Sequence, residues 1–214
     1  MRHVLAVVAL LFVVTPASAI DTAPALRAVT HDDVWLMRRL GTPVASPDGK
    51  WAVFSVTEPS YEEDGEIKDL WVVPVDGSAQ ARRLTSTKSS ESDVQWSPDS
   101  TKIAFSAKRG EEDEAVNQVY VLDMTGPGEA IQVTDWATGA KKPKWSPDGR
   151  RLAFEARVYP GAADNEANKA EKERRDELKY NASSYEIFPI RRWDKWRDDM
   201  QTHLIVQDAK PGRG

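Results

Sequence analysis

A four-residue motif that recurs three times constrains the fold more than any other feature of this sequence. Ser46-Pro47-Asp48-Gly49 is repeated as Ser97-Pro98-Asp99-Ser100 and as Ser146-Pro147-Asp148-Gly149, with starting points 51 and 49 residues apart. The motif suits a tight turn, because serine can bond to the turn backbone, proline fixes one backbone angle and glycine accepts a positive φ. Ser100 in the glycine position predicts a strained or differently shaped second turn. Three copies at a near-constant period predict a repeat architecture.

The residues around the motif repeat with it. Each copy is followed by a short apolar strand that ends in phenylalanine, at Phe54, Phe105 and Phe154, and two copies are preceded by tryptophan, at Trp96 and Trp145. The phenylalanines hold equivalent places in successive repeats. We therefore expect all three to be buried between neighbouring repeats.

A third and a fourth strand complete each repeat. The β-rich segment 70–73 aligns with 119–122 at an offset of 49 residues, and the same offset aligns 84–85 with 133–134. Four short antiparallel strands with a period near 50 residues are typical of a propeller blade. The segments lack the 3.6-residue period that a helical solenoid would show.

The predicted fold class is therefore all-β: a partial β-propeller of about three four-stranded blades from a larger ring. The blades are expected at about 43–85, 93–134 and 142–209, within an incomplete propeller domain at 43–214. A propeller needs about four to eight blades to close. We therefore expect this chain to be the front part of a longer protein.

An insertion interrupts the third blade. The turn serine precedes the third strand by 58 residues there, against 24 and 22 residues in the first two blades, so about 34 to 36 residues are inserted. The inserted residues are expected to lie within an arm at about 158–200. The first part, 164–179, is highly charged and has almost no apolar face, so we predict a partly helical arm that is frayed or disordered. The second part, 185–196, is predicted to dock on the blade through Trp193 and Trp196.

Candidate binding residues lie in that second part. Arg191, Arg192 and Asp194 stand beside the tryptophans, and the hypothesis is that they contact a peptide terminus, with a structural docking rim as the alternative. Nucleic-acid binding is disfavoured, because the chain has a net charge of −5. The sequence has no Gly-x-Ser-x-Gly elbow, phosphate loop or dinucleotide fingerprint, so it suggests no catalytic residue and no cofactor site.

The N-terminal segment and the composition bear on location. Residues 1–19 have a basic start, an eleven-residue apolar run and a small-residue cleavage site, which predicts a removable signal peptide and export to the periplasm or the exterior. No later segment is apolar enough to span a membrane. The chain has no cysteine, which excludes thiol catalysis and cysteine-ligated zinc, and its two histidines outside the signal argue against a histidine metal site. Residues 20–42 are expected to be a lead-in with a short helix near 31–39.

Two segments resemble a known family. The lead-in 30–34 followed by 38–43, which runs into the first Ser-Pro-Asp-Gly turn, resembles the entry into the propeller of prolyl-oligopeptidase-family serine peptidases. The segment 190–196 followed by 202–204 is similar to the blade insertion of the acylaminoacyl-peptidase and dipeptidyl-peptidase-V branch. Arg192 stands where that branch usually has histidine.

The resemblance implies an exported serine exopeptidase that acts on peptides. In such enzymes the propeller caps a C-terminal α/β-hydrolase domain and filters substrates by size. The catalytic triad belongs to that domain, which is absent from this chain, so no catalytic residue is carried over. The missing domain would be the propeller's partner within the molecule.

Two other functions share the same repeats. One is a periplasmic scaffold of the TolB kind, which binds partner proteins but carries a separate α/β domain before its propeller. Only about two dozen residues separate the signal from Ser46, which is too few for such a domain. The other is a propeller that binds a sugar or peptide without catalysis. A nucleophile elbow further downstream would distinguish the peptidase from both.

Overall fold

The computed structural model describes residues 27–61, 66–87, 90–110, 115–178, 191–192, 195–196 and 198–210. The predicted signal peptide and Asp194 lie outside these residues. Most of the described chain forms antiparallel strands in successive sheets, which confirms the all-β prediction. Within the described residues, no helix has the length and apolar character that crossing a membrane requires.

Three larger sheets follow one another along the chain. The first contains β1 (Arg39–Leu40), β2 (Val44–Ala45), β3 (Trp51–Pro59), β4 (Glu66–Pro74) and β5 (Arg82–Arg83). The second contains β6 (Glu91–Trp96), β7 (Lys102–Ala107), β8 (Gln118–Asp123) and β9 (Ile131–Gln132), paired in chain order. The third pairs β10 (Ala140–Trp145) with β11 (Arg151–Val158), and β11 with a later strand, Gln201–Asp208.

The predicted insertion separates the last two strands of the third sheet. It contains the helix Asn165–Asp176 and a small hairpin of β12 (Arg191–Arg192) and β13 (Lys195–Trp196), so that the strand Gln201–Asp208 is β14. A partly helical insertion in the third sheet is therefore confirmed.

A helix at the start of the described chain is shorter than predicted. Helix α1 (His31–Trp35) begins with a capping box, in which Thr30 and Asp33 satisfy each other's backbone N–H groups. The prediction extended this helix to residue 39, and that is wrong. Strand β1 begins at Arg39, because its backbone pairs with Thr57 of β3.

The three Ser-Pro-Asp turns have the same hydrogen bonds. Ser46, Ser97 and Ser146 each donate from Oγ to the Oδ1 atom of the aspartate two residues on, at 2.6 Å. Each serine Oγ also accepts the backbone N–H five residues on, at 2.9–3.0 Å. The motif therefore closes the turns between β2 and β3, between β6 and β7, and between β10 and β11.

The fourth position of the turn is left-handed in every copy. Its φ is 72° at Gly49, 61° at Ser100 and 68° at Gly149. Of the two alternatives expected at Ser100, the strained turn is confirmed, because a side chain is disfavoured at this φ, while the turn keeps the shape of the other two. The Ser100 hydroxyl accepts a hydrogen bond from the backbone N–H of Asp48, at 3.0 Å, which links the turns of the first two sheets.

Apolar clusters fill the two junctions between the sheets. The first cluster includes Val53, Leu70, Val72, Trp96, Ile103 and Phe105, and the second includes Ala104, Val119, Val133, Leu152 and Phe154. A repeated contact crosses each junction: the indole Nε1 of Trp96 donates to the carbonyl of Val44, at 2.9 Å, and that of Trp145 donates to the carbonyl of Gln95, at 3.3 Å. The tryptophan of one sheet is thus hydrogen-bonded to the strand that precedes the Ser-Pro-Asp turn in the preceding sheet.

The predicted burial of the phenylalanines is right for two of them. Phe105 and Phe154 are fully buried, but Phe54 is only partly buried, so that part of the prediction is wrong. Each phenylalanine faces the preceding sheet, since Phe105 packs in the cluster that includes Val53. Phe54 pairs with Trp71 on the face of the first sheet that points away from the second, where no other sheet of the described chain lies.

Candidate functional site

The insertion leaves the sheets at the end opposite the Ser-Pro-Asp turns. Strand β11 starts beside the third turn and runs to Val158, and β14 returns from Gln201, its partner in the ladder. The intervening residues 159–200 are called the arm below. The loop 135–139, which connects the second sheet to the third, lies at the same end.

A buried asparagine attaches the arm to this end. The helix α2 (Asn165–Asp176) places Asn168 completely out of solvent. Its Oδ1 atom accepts the backbone N–H of Tyr159, at 2.9 Å, and its amide nitrogen donates to Thr138 Oγ1, at 3.0 Å, and to the carbonyl of Arg157, at 3.3 Å. One side chain therefore joins the helix to the end of β11 and to the loop 135–139.

The first turn of α2 adds further contacts to the same loop. Asp164 caps the helix by accepting the backbone N–H of Ala167, at 2.8 Å. The Asn165 amide bonds to the loop twice, accepting from the backbone N–H of Ala137, at 3.1 Å, and donating to the carbonyl of Asp135, at 2.8 Å. The start of the helix is thus fixed over the loop by polar groups alone.

The far end of α2 is held by an arginine. Arg175 donates to both carboxylate oxygens of Asp199, at 2.9 and 2.7 Å, and to Glu171, at 2.7 Å, and its guanidinium lies 4.4 Å from the ring centroid of Tyr159. Hydrogen bonds from Arg174 and then Arg175 lower the pKa of Glu171 to about 2. The helix is therefore tied to the returning part of the arm just before β14.

The prediction that the charged stretch 164–179 is frayed or disordered is wrong for residues 165–176, which form a docked helix. The prediction assumed that a helix without an apolar face gains little from packing. In the structure, buried amide hydrogen bonds and a paired, stacked arginine take the place of that face. The asparagines at 165 and 168, one helical turn apart, were the available sequence signal.

The predicted binding residues lie beyond these attachments. Arg191 and Arg192 form strand β12, whose backbone pairs with Trp196 and Lys195 of β13. Their side chains, like the whole of Asp194, lie outside the described residues, so contact with a ligand stays a prediction. After the hairpin, Asp198 pairs with Arg157 of β11.

A second polar cluster lies between the first two sheets. Glu91 is fully buried and pairs with Arg109, at 2.8 Å, while Thr85 donates its hydroxyl to the same carboxylate. The Arg109 guanidinium lies 4.5 Å from the ring centroid of Tyr120. Sequence reasoning missed this cluster, because its members come from two sheets.

A cavity of about 280 Å³ adjoins that cluster. It is lined by Arg83, Arg109, the segment 84–87 and the segment 128–130. Arg83 pairs with the buried Asp69, so both arginines already have carboxylate partners. The cavity is therefore a polar pocket at the outer side of the junction, with its charges largely balanced. In the described part of the chain, no group of three or more histidine, aspartate or glutamate side chains could hold a metal ion.

Comparison with known proteins finds a similar fold in an acylaminoacyl peptidase and sequence similarity to a dipeptidyl-peptidase. No protein family model matches the chain. Dipeptidyl-peptidase 5 of Porphyromonas gingivalis is 31% identical over 96 residues, which are 45% of this chain and 14% of that protein. The acylaminoacyl peptidase of Pyrococcus horikoshii aligns over 82% of this chain and 24% of its own length, with a TM-score of 0.54 and 16% identity. TolB of Acinetobacter baumannii aligns over 58% of this chain and 28% of its own, with a TM-score of 0.41 and 23% identity.

These similarities confirm the resemblance to the propeller portion of prolyl-oligopeptidase-family serine peptidases. The fold match confirms the partial propeller, and the sequence match is to a dipeptidyl-peptidase. The chain spans only 14% and 24% of the two peptidases.

Proposed function

We propose that this chain is the propeller part of an exported serine exopeptidase of the dipeptidyl or acylaminoacyl type. In the proposed enzyme, the propeller controls the access of peptides to an α/β-hydrolase domain elsewhere in the protein. The observation that carries the proposal is the 31% identity to dipeptidyl-peptidase 5 over 96 residues. The sequence contains no nucleophile elbow. The propeller would therefore control which peptides reach the hydrolase domain and would not itself cleave them.

The arm supports a role in access. Asn168 and Arg175 attach it at one end of the sheets through buried or paired polar groups. The helix is fixed at both of its ends, and Asp198 and Asp199, which follow strand β13, are paired with Arg157 and Arg175. Attachments of this kind suit a border of a substrate entrance. Arg191, Arg192 and Asp194 would then contact a peptide terminus.

The first experiment tests catalysis. The full-length protein should hydrolyse dipeptidyl or acylaminoacyl chromogenic substrates and lose this activity with an organophosphate that blocks nucleophilic serines. Residues 20–214 alone should be inert. Absence of hydrolysis by the full-length protein would contradict the proposal and leave a non-catalytic binding propeller, and robust hydrolysis by residues 20–214 would contradict the assignment of chemistry to another domain.

The second experiment tests access. Three substitutions in the full-length protein should alter how kcat/KM depends on peptide length: Arg191→Ala, Arg192→Ala and Asp194→Ala. Lys169→Ala, on the exposed side of α2, should leave that dependence unchanged. If all three variants keep both kcat/KM and length preference, the arm is structural and the gating proposal fails.

A further inference from the structure

Two charged residues occupy an unusual backbone conformation at the same place in successive sheets. Asp93 in β6 has φ 57° and Lys142 in β10 has φ 54°, and each lies four residues before its turn serine. The ladder with the next strand shifts at both places, between Ser92 and Gln95 and between Lys141 and Lys144. Strands β6 and β10 therefore each carry a β-bulge with a left-handed residue.

The left-handed conformation disfavours a side chain. Glycine adopts it without strain, whereas a lysine there is uncommon. Glycine indeed fills the left-handed position in two of the three Ser-Pro-Asp turns, and the third, Ser100, uses its hydroxyl to bond the neighbouring turn. Side chains kept at strained positions are found preferentially at functional sites. The bulges thus retain charged side chains where glycine would be easier to accommodate.

The surrounding structure fixes the bulge in β10. The backbone N–H of Lys142 donates to Ser106 Oγ, at 3.0 Å, and Ser106 is completely buried in the second sheet. Strands β2, β6 and β10 each precede the Ser-Pro-Asp turn of their sheet, and β6 contacts both β2 and β10. The sheets approach one another along these strands, which are called the inner edge below. The bulges therefore lie on the inner edge, with their side chains exposed.

The inner edge of the third sheet is basic. Lys141, Lys142 and Lys144 are exposed on β10, in a chain whose net charge is −5. Lys142 Nζ pairs with Glu155, at 2.9 Å, while within the described residues Lys141 and Lys144 form no ion pair. Strand β6 carries an exposed residue of the opposite charge, Asp93. The pKa of Lys142 is raised chiefly by Glu155, and Asp93 contributes a smaller rise.

We propose that the basic bulge of β10 binds carboxylate groups of peptides at the inner edge, and that Asp93 weakens this attraction and limits it to suitably placed anions. The inference rests on the proposed function in taking peptides as the ligands. Lysines near one another in an acidic protein create a local positive potential that favours anions. The shared chemistry is the carboxylate, supplied either by acidic side chains or by a peptide C-terminus.

The test measures binding without catalysis. The full-length protein, with nucleophilic serines blocked by an organophosphate, is titrated calorimetrically at low ionic strength with three hexapeptides. The first is amidated and contains two glutamates, the second is its glutamine analogue, and the third is the glutamine analogue with a free C-terminus. Tighter binding of the first or third peptide than of the second, by about three- to fivefold per charge, is expected and identifies the source of the carboxylate. Equal binding of all three would overturn the proposal.

A matched pair of variants separates charge from backbone strain. Lys142→Gly and Asp93→Gly both relieve a left-handed side chain, so neither should lower Tm. Lys142→Gly should weaken binding of the preferred peptide about threefold, whereas Asp93→Gly should strengthen it about threefold. Lys50→Gln, an exposed lysine at the turn end, is the control and should change nothing. Affinity changes of the same sign in both glycine variants, or none, would contradict the assignment. If the protein neither hydrolyses the chromogenic substrates nor reacts with the organophosphate but still binds carboxylate peptides more tightly, the peptidase proposal fails and the carboxylate-binding proposal stands.

Discussion

The junctions between the sheets are mainly apolar, whereas the junction between the arm and the sheets is made mainly of hydrogen bonds and ion pairs. Phe105, Phe154 and their neighbours fill the sheet junctions with apolar side chains that are buried or nearly so. The arm junction depends on Asn168 and Arg175, whose amide and guanidinium groups are satisfied by specific partners. Apolar packing contributes most of the stability, while a hydrogen-bonded network fixes one geometry.

The difference predicts separate consequences for the two regions. Loss of an apolar side chain at a sheet junction should unfold the whole propeller portion more easily, because each sheet depends on its neighbour. Loss of a polar anchor should release the arm and leave the sheets intact. The arm can therefore be altered in sequence without endangering the fold, which suits an element that sets specificity.

The largest effect is expected in the sheet junction. Phe105→Ala should lower the free energy of unfolding by about 3–5 kcal/mol, because a large buried side chain leaves a cavity. Phe54→Ala, at the equivalent but partly exposed position, should cost no more than about half as much. Urea unfolding of the 214-residue chain measures both. Equal losses in the free energy of unfolding would contradict this prediction and would show that the Phe54 side chain is as well buried in solution as that of Phe105.

The arm anchor should give an intermediate and local effect. Asn168→Ala leaves the Tyr159 N–H without its amide acceptor and should destabilise the docked arm by about 1–3 kcal/mol. Hydrogen exchange should accelerate in 165–176 and remain unchanged in β7 and β8. Lys169→Ala, one residue along and exposed, is the matched control. Faster exchange throughout the sheets would refute the separation of the two junctions.

The contact between tryptophan and the preceding sheet should contribute less. Trp145→Phe keeps most of the apolar ring but removes the donor to the carbonyl of Gln95, so a loss of about 1 kcal/mol is expected. Trp51→Phe, at a more exposed position just after the first turn, should change stability less. Urea unfolding measures both variants, and the reverse order would be inconsistent with the role assigned to the indole.

The smallest effect concerns the turns and depends on pH. The hydrogen bond from Ser97 lowers the pKa of Asp99 from 3.8 to about 2, with help from the backbone N–H of Thr101. A lowered folded-state pKa stabilises the protein above pH about 4, and that contribution disappears as the pH falls towards 2. Asp99→Asn should therefore show a smaller loss of Tm between pH 5 and pH 2 than the parent chain, all at about the same ionic strength.

A matched variant checks the cause of that shift. Ser97→Ala removes the main hydrogen bond, so the pKa of Asp99 should rise and its acid-dependent contribution should shrink. If the parent chain and both variants lose Tm in parallel on acidification, the turn carboxylate does not contribute to acid sensitivity.

Several features of the fold were predictable because they depend on local sequence. Proline, aspartate and a left-handed residue determine a tight turn wherever they occur together, and the three turns have the same bonds. The insertion was visible as a lengthened interval between aligned strands. The candidate site was less accessible: Arg191 and Arg192 were named from composition, while the attachments by Asn168 and Arg175 to Tyr159 and Asp199 join residues of different segments.

The repeat, the turns, the place of the insertion and the peptidase resemblance can all be read from the chain, because period, turn chemistry and motif order are properties of the amino-acid order. Three features became visible in the folded molecule alone: the charged helix is docked, Glu91 is buried beside Arg109, and Asp93 and Lys142 occupy left-handed bulges at the inner edge. Each of these depends on partners supplied by another sheet or segment. A polar or strained residue is stable only where such partners satisfy it, and their positions follow from how the sheets pack against one another.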